Sequence, residues 1–442
     1  MKQREGSLEA PTRHPVDWQS RDFGNPDKLN DELARVFDIC HGCRRCVNLC
    51  SSFPTMFDLI DESETMEVDG VDKGDYMNVV DQCYLCDLCY MTKCPYVPPH
   101  EWNVDFPHLM LRAKARRFKD KGTSLRDKVL TSTDTIGALA TIPLVDIAVN
   151  TLNGTPLFRN VLESALDVHH EAPVPRYHSR TMRRRFDKDN SGIVPEAVGN
   201  TTGKVALYAT CYGNYSNPDL GKDFTSVFRH NGIHIDLTPG ENCCGMPKLE
   251  LGDLESVARL KDKNIPVLAA LADQGYDLTA PIPSCVLMYR KELPLLFPDD
   301  ADVRKVADAF FDPFEYLYIR HRGGALVTDF KHPLGDVSYQ VACHQRVQNI
   351  GLRTRDILKL VPDTNVDTIE RCSGHDGTYA VKKETRDNSV RIARPVVRQV
   401  NGKEPDHFSS DCPMAGTHIA HLSDSVNQAQ HPMTLLRIAY GL

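Results

Sequence analysis

Apolar residues along this chain gather in short runs, and the runs repeat. V-A-L-Y-A-T-C at 205–211 and V-S-Y-Q-V-A-C at 337–343 are rich in β-branched and aromatic residues, and each ends on a cysteine. Such runs predict short strands. Each is followed by a stretch that reads as helix and carries a glycine, Gly232 in H-N-G and Gly351 in Q-N-I-G. A short strand and loop then lead into Cys243-Cys244-Gly245 in the first copy and Cys372-Ser373-Gly374 in the second. Helical patterns follow at 253–275, where Pro266 is expected to introduce a kink, and at 382–400. Each copy closes with a short strand running into Cys285 or Cys412. The period is about 130 residues. Strands alternating with helices predict α/β units on short parallel sheets, with the cysteines where strands give way to loops. A pseudo-twofold pair of such units brings both cysteine sets to a shared cleft.

Upstream the pattern changes to helical. P-H-L-M-L-R-A-K-A at 107–115 has apolar residues at helical spacing and a cationic far end that suits the helix dipole, with Gly122 as the stop. Ile136–Leu152 is apolar but broken by Pro143 and Asp146. It reads as a buried helix pair or as a segment lying in a membrane interface, and the buried arrangement is the expectation. No uninterrupted run of 18 apolar residues predicts a transmembrane helix. The N-terminus, M-K-Q-R-E-G-S-L-E-A-P-T-R-H-P, has no apolar core, so no secretory signal is expected and the chain is read as cytoplasmic. The expected organisation is therefore a helical domain over 1–125, a helical linker over 126–200, a first repeat over 201–325 and a second over 326–442.

With 442 residues, 41% hydrophobic and 25% charged, the chain reads as an ordinary soluble globular protein of two or three domains. A net charge of −8 gives no electrostatic case for nucleic acid. The basic run R-T-M-R-R-R at 180–185 is expected to be a solvated helix face rather than a lipid contact. Cysteine changes the picture. There are 15, an odd number in a chain read as unexported, so clustered cysteines point to metal ligation rather than disulfides.

Eight of them form two runs. Cys40, Cys43, Cys46 and Cys50 are spaced C-x2-C-x2-C-x3-C; Cys83, Cys86, Cys89 and Cys94 are spaced C-x2-C-x2-C-x4-C and followed by Pro95. Three thiolates at steps of three wrap one cubane, and the fourth cysteine of each run reaches the other cluster. That assigns Cys40, Cys43, Cys46 and Cys94 to one [4Fe-4S] cluster, and Cys83, Cys86, Cys89 and Cys50 to a second. A zinc site would call for two pairs of ligands instead. The runs depart from the usual bacterial form in Ser51 after Cys50 and in the x4 spacing, which a local bulge can absorb. His41 is expected to face solvent or donate to sulfur.

C-Y-G-N-Y-S-N-P-D-L-G-K-D at 211–223, E-N-C-C-G-M-P at 241–247, G-T-Y-A-V-K-K-E at 377–384 and H-P-M-T-L-L at 431–436 resemble a family of iron–sulfur subunits, typified by that of anaerobic glycerol-3-phosphate dehydrogenase. More broadly they resemble the cysteine-rich CCG domains of heterodisulfide reductase. The resemblance runs from about Cys40 to the C-terminus. It implies a mixed fold: an α-helical ferredoxin-type domain with two [4Fe-4S] sites, then two α/β CCG repeats. It also implies that flavin sits on a separate polypeptide, in keeping with the lack of a G-x-G-x-x-G fingerprint for flavin or NAD here. The P-Y-V-P-P-H-E-W-N-V-D-F-P-H-L segment resembles a branch associated with rubrerythrin, for which glycerol 3-phosphate would be the wrong substrate. In such domains the cysteines hold noncubane clusters. Carried over, the first set is Cys211, Cys243, Cys244 and Cys285, and the second is Cys343, Cys372 and Cys412. Met288, Ser373 and Ala415 stand where the family pattern has cysteine. At least one further cluster is expected in this region.

The expected function is an electron-transfer protein or oxidoreductase subunit. Its donor is a flavoprotein and its acceptor is quinone or a rubrerythrin-type protein, with a place on the inner membrane periphery open. The alternatives are a heterodisulfide or thiol–disulfide reductase working at a noncubane cluster, and a cluster-based redox sensor without turnover. The catalytic residues are left unassigned. Ser373 leaves three readings for the second set: ligation by the serine oxygen, ligation by His375 as in a mixed-ligand Rieske-type site, or loss of the repeat's own cluster, with Cys343, Cys372 and Cys412 completing one at the interface with the first.

Overall fold

The computed structural model describes residues 10–442; most of the N-terminal segment read as lacking a leader core lies outside them. Strand β1 (Lys204–Leu207) is the centre of a four-stranded parallel sheet with β2 (His234–Leu237), β3 (Asp277–Thr279) and β4 (Phe310–Phe311), in the order β2-β1-β3-β4. Val205 lies opposite both Ile235 and Asp277 in the register. Both faces of β1 are covered, as a parallel sheet requires. Val205 and Leu207 pack against Phe224, Val227 and Phe228, while Ala206 and Tyr208 face Ile265, Leu268 and Val286 on the other side. Alternation along one strand thus feeds two cores.

The second repeat is built on three parallel strands, β5 (Gly335–Gln340), β6 (Thr364–Ile369) and β7 (His407–Ser410), in the order β6-β5-β7. The helical stretches behind the strands fall where the pattern placed them. Leu254–Asp273 is a continuous helix with Pro266 inside it, and Lys383–Thr385 is a 3-10 turn leading into the helix Arg386–Asn401. The last helix, Pro432–Tyr440, serves both repeats. Met433, Leu436 and Tyr440 join the core of the first, and Leu435 and Ala439 that of the second.

The N-terminal region is helical. Helices Pro26–Cys43, Ser52–Asp61, Tyr76–Asp81 and Phe106–Lys121 close around Phe37, Phe53, Phe57, Tyr76, Phe106 and Met110. Phe53 and Phe106 lie 4.7 Å apart between ring centroids, and Phe37 meets Tyr76 edge-on at 5.1 Å. The Asp105 side chain caps Phe106–Lys121 by accepting from the His108 N–H, and Gly122 ends it at φ +66°. Lys119 and Lys121 occupy its last turn, as the charge pattern predicted.

One expectation is overturned. The apolar segment 136–152 is not a buried pair. It forms helices Thr133–Ala140 and Val145–Asn153, bent by 109°, and the second of them buries none of its residues. Leu139, Ile142, Leu144, Ile147 and Leu152 are exposed. The apolar pattern was real, but the described residues place no second layer over it. No single helix among the described residues is long and apolar enough to cross a membrane.

Candidate functional site

All seven C-terminal cysteines lie just beyond the C-terminal ends of parallel strands: Cys211 after β1, Cys243 and Cys244 after β2, Cys285 after β3, Cys343 after β5, Cys372 after β6 and Cys412 after β7. Side chains there converge because parallel strands all end on one edge. The two repeats also meet there. His344, next to Cys343, contacts the Ser284 hydroxyl, next to Cys285, at 2.8 Å.

The eight N-terminal thiols fall into two groups that act on each other. Cys40 is pushed up by burial and by Cys94, Cys46 and Cys43, and Cys46 is pushed up to about 12 by burial, Cys94 and Cys43. Burial together with Cys86, Cys83, Cys46 and Cys50 raises Cys89; burial raises Cys83 to about 12 with Cys50 adding to it. Cys94 thus acts on Cys40 and Cys46 of the first run, while Cys50 acts on Cys83, Cys86 and Cys89 of the second and on Cys46 of its own. The loops that do this turn through left-handed backbone at Arg44 (φ +52°), Leu85 (φ +55°) and Asp87 (φ +59°). Asp87 is held there by Arg13, whose guanidinium donates to it at 2.6 and 3.1 Å. Arg13 also donates to Asp105 at 2.8 and 3.0 Å and reaches Glu292 of the first repeat at 3.4 Å; His108 bridges Glu292 at 3.2 Å. Buried thiols crowded together disfavour their own ionisation, and bound cations would reverse that, since a coordinating thiol is deprotonated outright. This donor set, all sulfur and largely shielded, suits iron–sulfur clusters. Lys114, buried beside the second group, donates to the Cys83 carbonyl and lies over the Tyr84 ring at 4.6 Å, adding a positive charge there.

In the first repeat the four sulfurs lie near enough to act on one another. Cys243 is lowered below the ordinary thiol range chiefly by its neighbours Cys211 and Cys244, and Cys244 feels Cys285 as well as Cys243. Cys211 and Cys244 are pushed up by Cys243 and by burial. The loop is braced from several sides. The Cys243 N–H donates to Asp134 at 2.5 Å, and Asn264 donates to the Cys243 carbonyl at 3.1 Å. Burial and Cys243 raise Asp134 to about 6. Thr210, immediately before Cys211, is held at φ +64°, an outlier for a β-branched residue; its hydroxyl accepts from the Gly213 N–H at 3.0 Å.

In the second repeat the arrangement differs. Cys343, Cys372 and Asp376 bring their donor atoms within 4.8 Å of one another, with Cys372 Sγ 3.7 Å from Asp376 Oδ2. Cys412 lies close enough for its thiol, pushed up to about 11 chiefly by burial, to feel Asp376. The Ser373 hydroxyl accepts from the His375 N–H at 3.2 Å. The His375 ring lies 6.3 Å from that of His418, outside the set formed by Cys343, Cys372 and Asp376; burial lowers it to about 4, and its Nε2 has no hydrogen-bond partner. Cys50 and Cys86 both feel Cys372 and Asp376, so this set adjoins the second N-terminal group. Gly374 at φ +71° lets the loop turn, and a Cβ there would sit 2.2 Å from the Ser389 carbonyl oxygen. Asp376, Arg13, Lys114, Asp134 and Thr210 were not among the predicted residues. Asp376 alone had a visible signal, standing four residues after Cys372 in R-C-S-G-H-D-G.

A family model described as a cysteine-rich domain, CCG, matches residues 205–290 and again 337–420. A subunit of the anaerobic glycerol-3-phosphate dehydrogenase of Escherichia coli K12 is 28% identical over 336 residues, covering 76% of this chain and 82% of that protein. A subunit of the fumarate reductase (CoM/CoB) of Methanothermobacter marburgensis is 24% identical over 244 residues, 53% of this chain and 45% of that protein. Lactate utilization protein A of Bacillus velezensis is 26% identical over 187 residues, 40% of this chain and 75% of that protein. The chain carries two CCG cysteine-rich domains and is homologous to these proteins.

Proposed function

We propose that this chain, with its two CCG domains, is an iron–sulfur electron-transfer subunit of an oxidoreductase. It would take electrons from a flavoprotein-type partner and deliver them to quinone or a rubrerythrin-type acceptor. The observation that supports the reading is that the end of each run lies near the other run, Cys94 acting on Cys40 and Cys46 and Cys50 on Cys83, Cys86 and Cys89. Cys40, Cys43, Cys46 and Cys94 would hold one [4Fe-4S] cluster and Cys83, Cys86, Cys89 and Cys50 the other. Cys211, Cys243, Cys244 and Cys285 would hold a further, noncubane cluster. When bound, such clusters exchange single electrons at potentials set by ligands, hydrogen bonds to sulfur and burial. The chain's own residues do the positioning. Arg13 fixes the Asp87 turn between Cys86 and Cys89, Lys114 offsets negative charge beside Cys83, and Asp134 and Asn264 brace the Cys243 backbone.

A place at the membrane periphery is supported by the exposed hairpin. Leu139, Ile142, Leu144, Ile147 and Leu152 stand on its surface, and the segment 176–180 is fixed alongside by hydrogen bonds from Ser179 N–H to Asp146 at 2.8 Å and from Asn150 to the Tyr177 carbonyl at 2.7 Å. That segment presents exposed Arg176 and Arg180 next to the apolar side chains. Apolar residues rimmed by arginine suit an interface of acyl chains and anionic headgroups.

Anaerobic purification of the full chain tests the reading. About eight irons with matching acid-labile sulfide are expected from the N-terminal sets alone, with reduced-state EPR signals of [4Fe-4S] type. Stoichiometric zinc with little sulfide would overturn it. Flotation of the same preparation with anionic vesicles is expected and should weaken in salt; a chain that stays in the soluble fraction removes the peripheral placement.

A further inference from the structure

We propose that the second repeat holds a single divalent transition-metal ion, zinc or ferrous iron, on Cys343, Cys372 and Asp376, with the Asp376 carboxylate supplying the donor that Ser373 does not. The inference rests on the reading of these cysteines as metal ligands and goes beyond it in nuclearity and in ligand identity.

The spacing of the donors carries it. A tetrahedral ion with metal–sulfur bonds of about 2.3 Å and metal–oxygen bonds of about 2.1 Å sets neighbouring sulfur and oxygen donors about 3.6 Å apart. Cys372 Sγ and Asp376 Oδ2 stand at 3.7 Å, and Cys343 Sγ closes the triangle within 4.8 Å. Thiolates of one cubane reach different irons and stand wider than donors to a single ion. The first repeat makes the contrast. Its four sulfurs, Cys211, Cys243, Cys244 and Cys285, act on one another, yet among the described residues they form no such closed triad.

The competing donors are turned elsewhere. The Ser373 hydroxyl is engaged with the His375 N–H, and the Gly374 N–H points at Cys372 Sγ at 3.3 Å, so the loop wraps around that sulfur. The His375 ring faces His418. Asp376, at φ +33°, is carried back over Cys372 by the same turn, which the Tyr379 N–H to Asp376 carbonyl bond at 2.9 Å secures. Two thiolates and one carboxylate are a donor set that both zinc and ferrous iron accept. Cys412, the repeat's remaining cysteine, is the candidate for the fourth position. Lys114 acts on Asp376 and offsets part of the excess negative charge.

The test uses the full chain, purified anaerobically with its clusters, and reads zinc, iron and acid-labile sulfide per chain together with X-ray absorption at the metal edge. The wild type is expected to hold one equivalent of zinc, or of iron unmatched by sulfide, with mixed sulfur and oxygen coordination. Asp376→Ala and the near-isosteric Asp376→Asn should each lose that equivalent while sulfide stays unchanged. Asp376→Cys should keep it and shift its coordination toward sulfur. Ser373→Ala and His375→Ala should keep it. Full metal retention in Asp376→Asn overturns the inference, as does a parallel loss of iron and sulfide, which would mean a cluster. A wild-type chain without N-terminal iron and sulfide would instead overturn the electron-transfer reading, so the two failures are separable.

Discussion

The two repeats share a scaffold and differ in what they hang on it. Each has a parallel sheet whose strands end at its cysteines, and each follows its loop cysteines with a glycine in left-handed backbone, Gly245 at φ +100° and Gly374 at φ +71°. Ahead of the first cysteine they part. Thr210 before Cys211 is held at φ +64°, whereas Ala342 before Cys343 sits at an unstrained −62°. In the loops, the first repeat keeps adjacent sulfurs, and the second replaces one with a hydroxyl that serves the backbone and brings a carboxylate in from three residues further on. The glycine is kept because backbone geometry demands it. The neighbouring donor is free to move along the loop, because a turn that wraps around one sulfur can present any of several side chains to it.

The repeats also differ in how they are tied to the N-terminal helices, and this difference can be broken most forcefully. The first repeat is attached through Glu292, buried in a group with Arg13, Asp87, Asp105 and His108. Despite burial, Arg13 and His108 hold Asp105 and Glu292 down at about 2. The second repeat has an exposed tie, Arg126 to Glu384 at 2.6 Å with Glu384 half exposed, beside more buried ones from Lys382 to Asp127 at 3.0 Å and from the Tyr379 hydroxyl to Gln82 at 2.5 Å. Removing one partner of a buried charge group leaves the others unpaired, so Arg13→Ala is expected to cost about 3–5 kcal/mol. Glu384→Ala is expected to cost about 0.5 kcal/mol, as for an exposed pair. Denaturant unfolding of both variants checks the contrast; equal losses would mean that the two attachments are equivalent.

The sequence made the cysteine spacing and the repeat legible because both are local. Steps of three fix a chelating turn within a dozen residues, and strands ending in cysteine recur with the same flanks. The buried charge group was not legible, since Arg13, Asp87, Asp105, His108 and Glu292 are united only by the fold. Asp376 stands in R-C-S-G-H-D-G, yet its place beside Cys372 depends on the turn at Gly374, which the spacing alone does not reveal. Strand β4, two residues long, carries too little pattern to be seen. The 136–152 segment misled for the opposite reason. An apolar pattern states that a face must be covered and does not state by what.

The smallest effect separates the repeats at the place where they interlock. The C-terminal helix Pro432–Tyr440 follows the second repeat but packs into the first, where Thr434 and Arg437 both reach Asp223, the latter at 2.5 Å. His431 caps that helix: its Nδ1 accepts from the Met433 N–H at 3.1 Å, so its Nε2–H donates to the Pro281 carbonyl, also at 3.1 Å, in the loop leading to Cys285. Burial lowers its pKa from 6.5 to about 4, with the Pro281 bond opposing. The native ring thus stays neutral where the unfolded ring takes up a proton. Its contribution is complete above pH 6.5, falls as pH drops from 6.5 toward 4, and is level below that. The loss attributable to His431 between pH 7.5 and pH 5 is about 2 kcal/mol. His431→Gln, which can still donate to Pro281 but does not titrate, should be less stable than wild type at pH 7.5, and the gap should narrow by that amount at pH 5. Thermal unfolding of both proteins at the two pH values measures it. A gap that stays constant with pH would show that the acid sensitivity of the interlock comes from other buried imidazoles, with His418, lowered by burial to about 2, the first to examine.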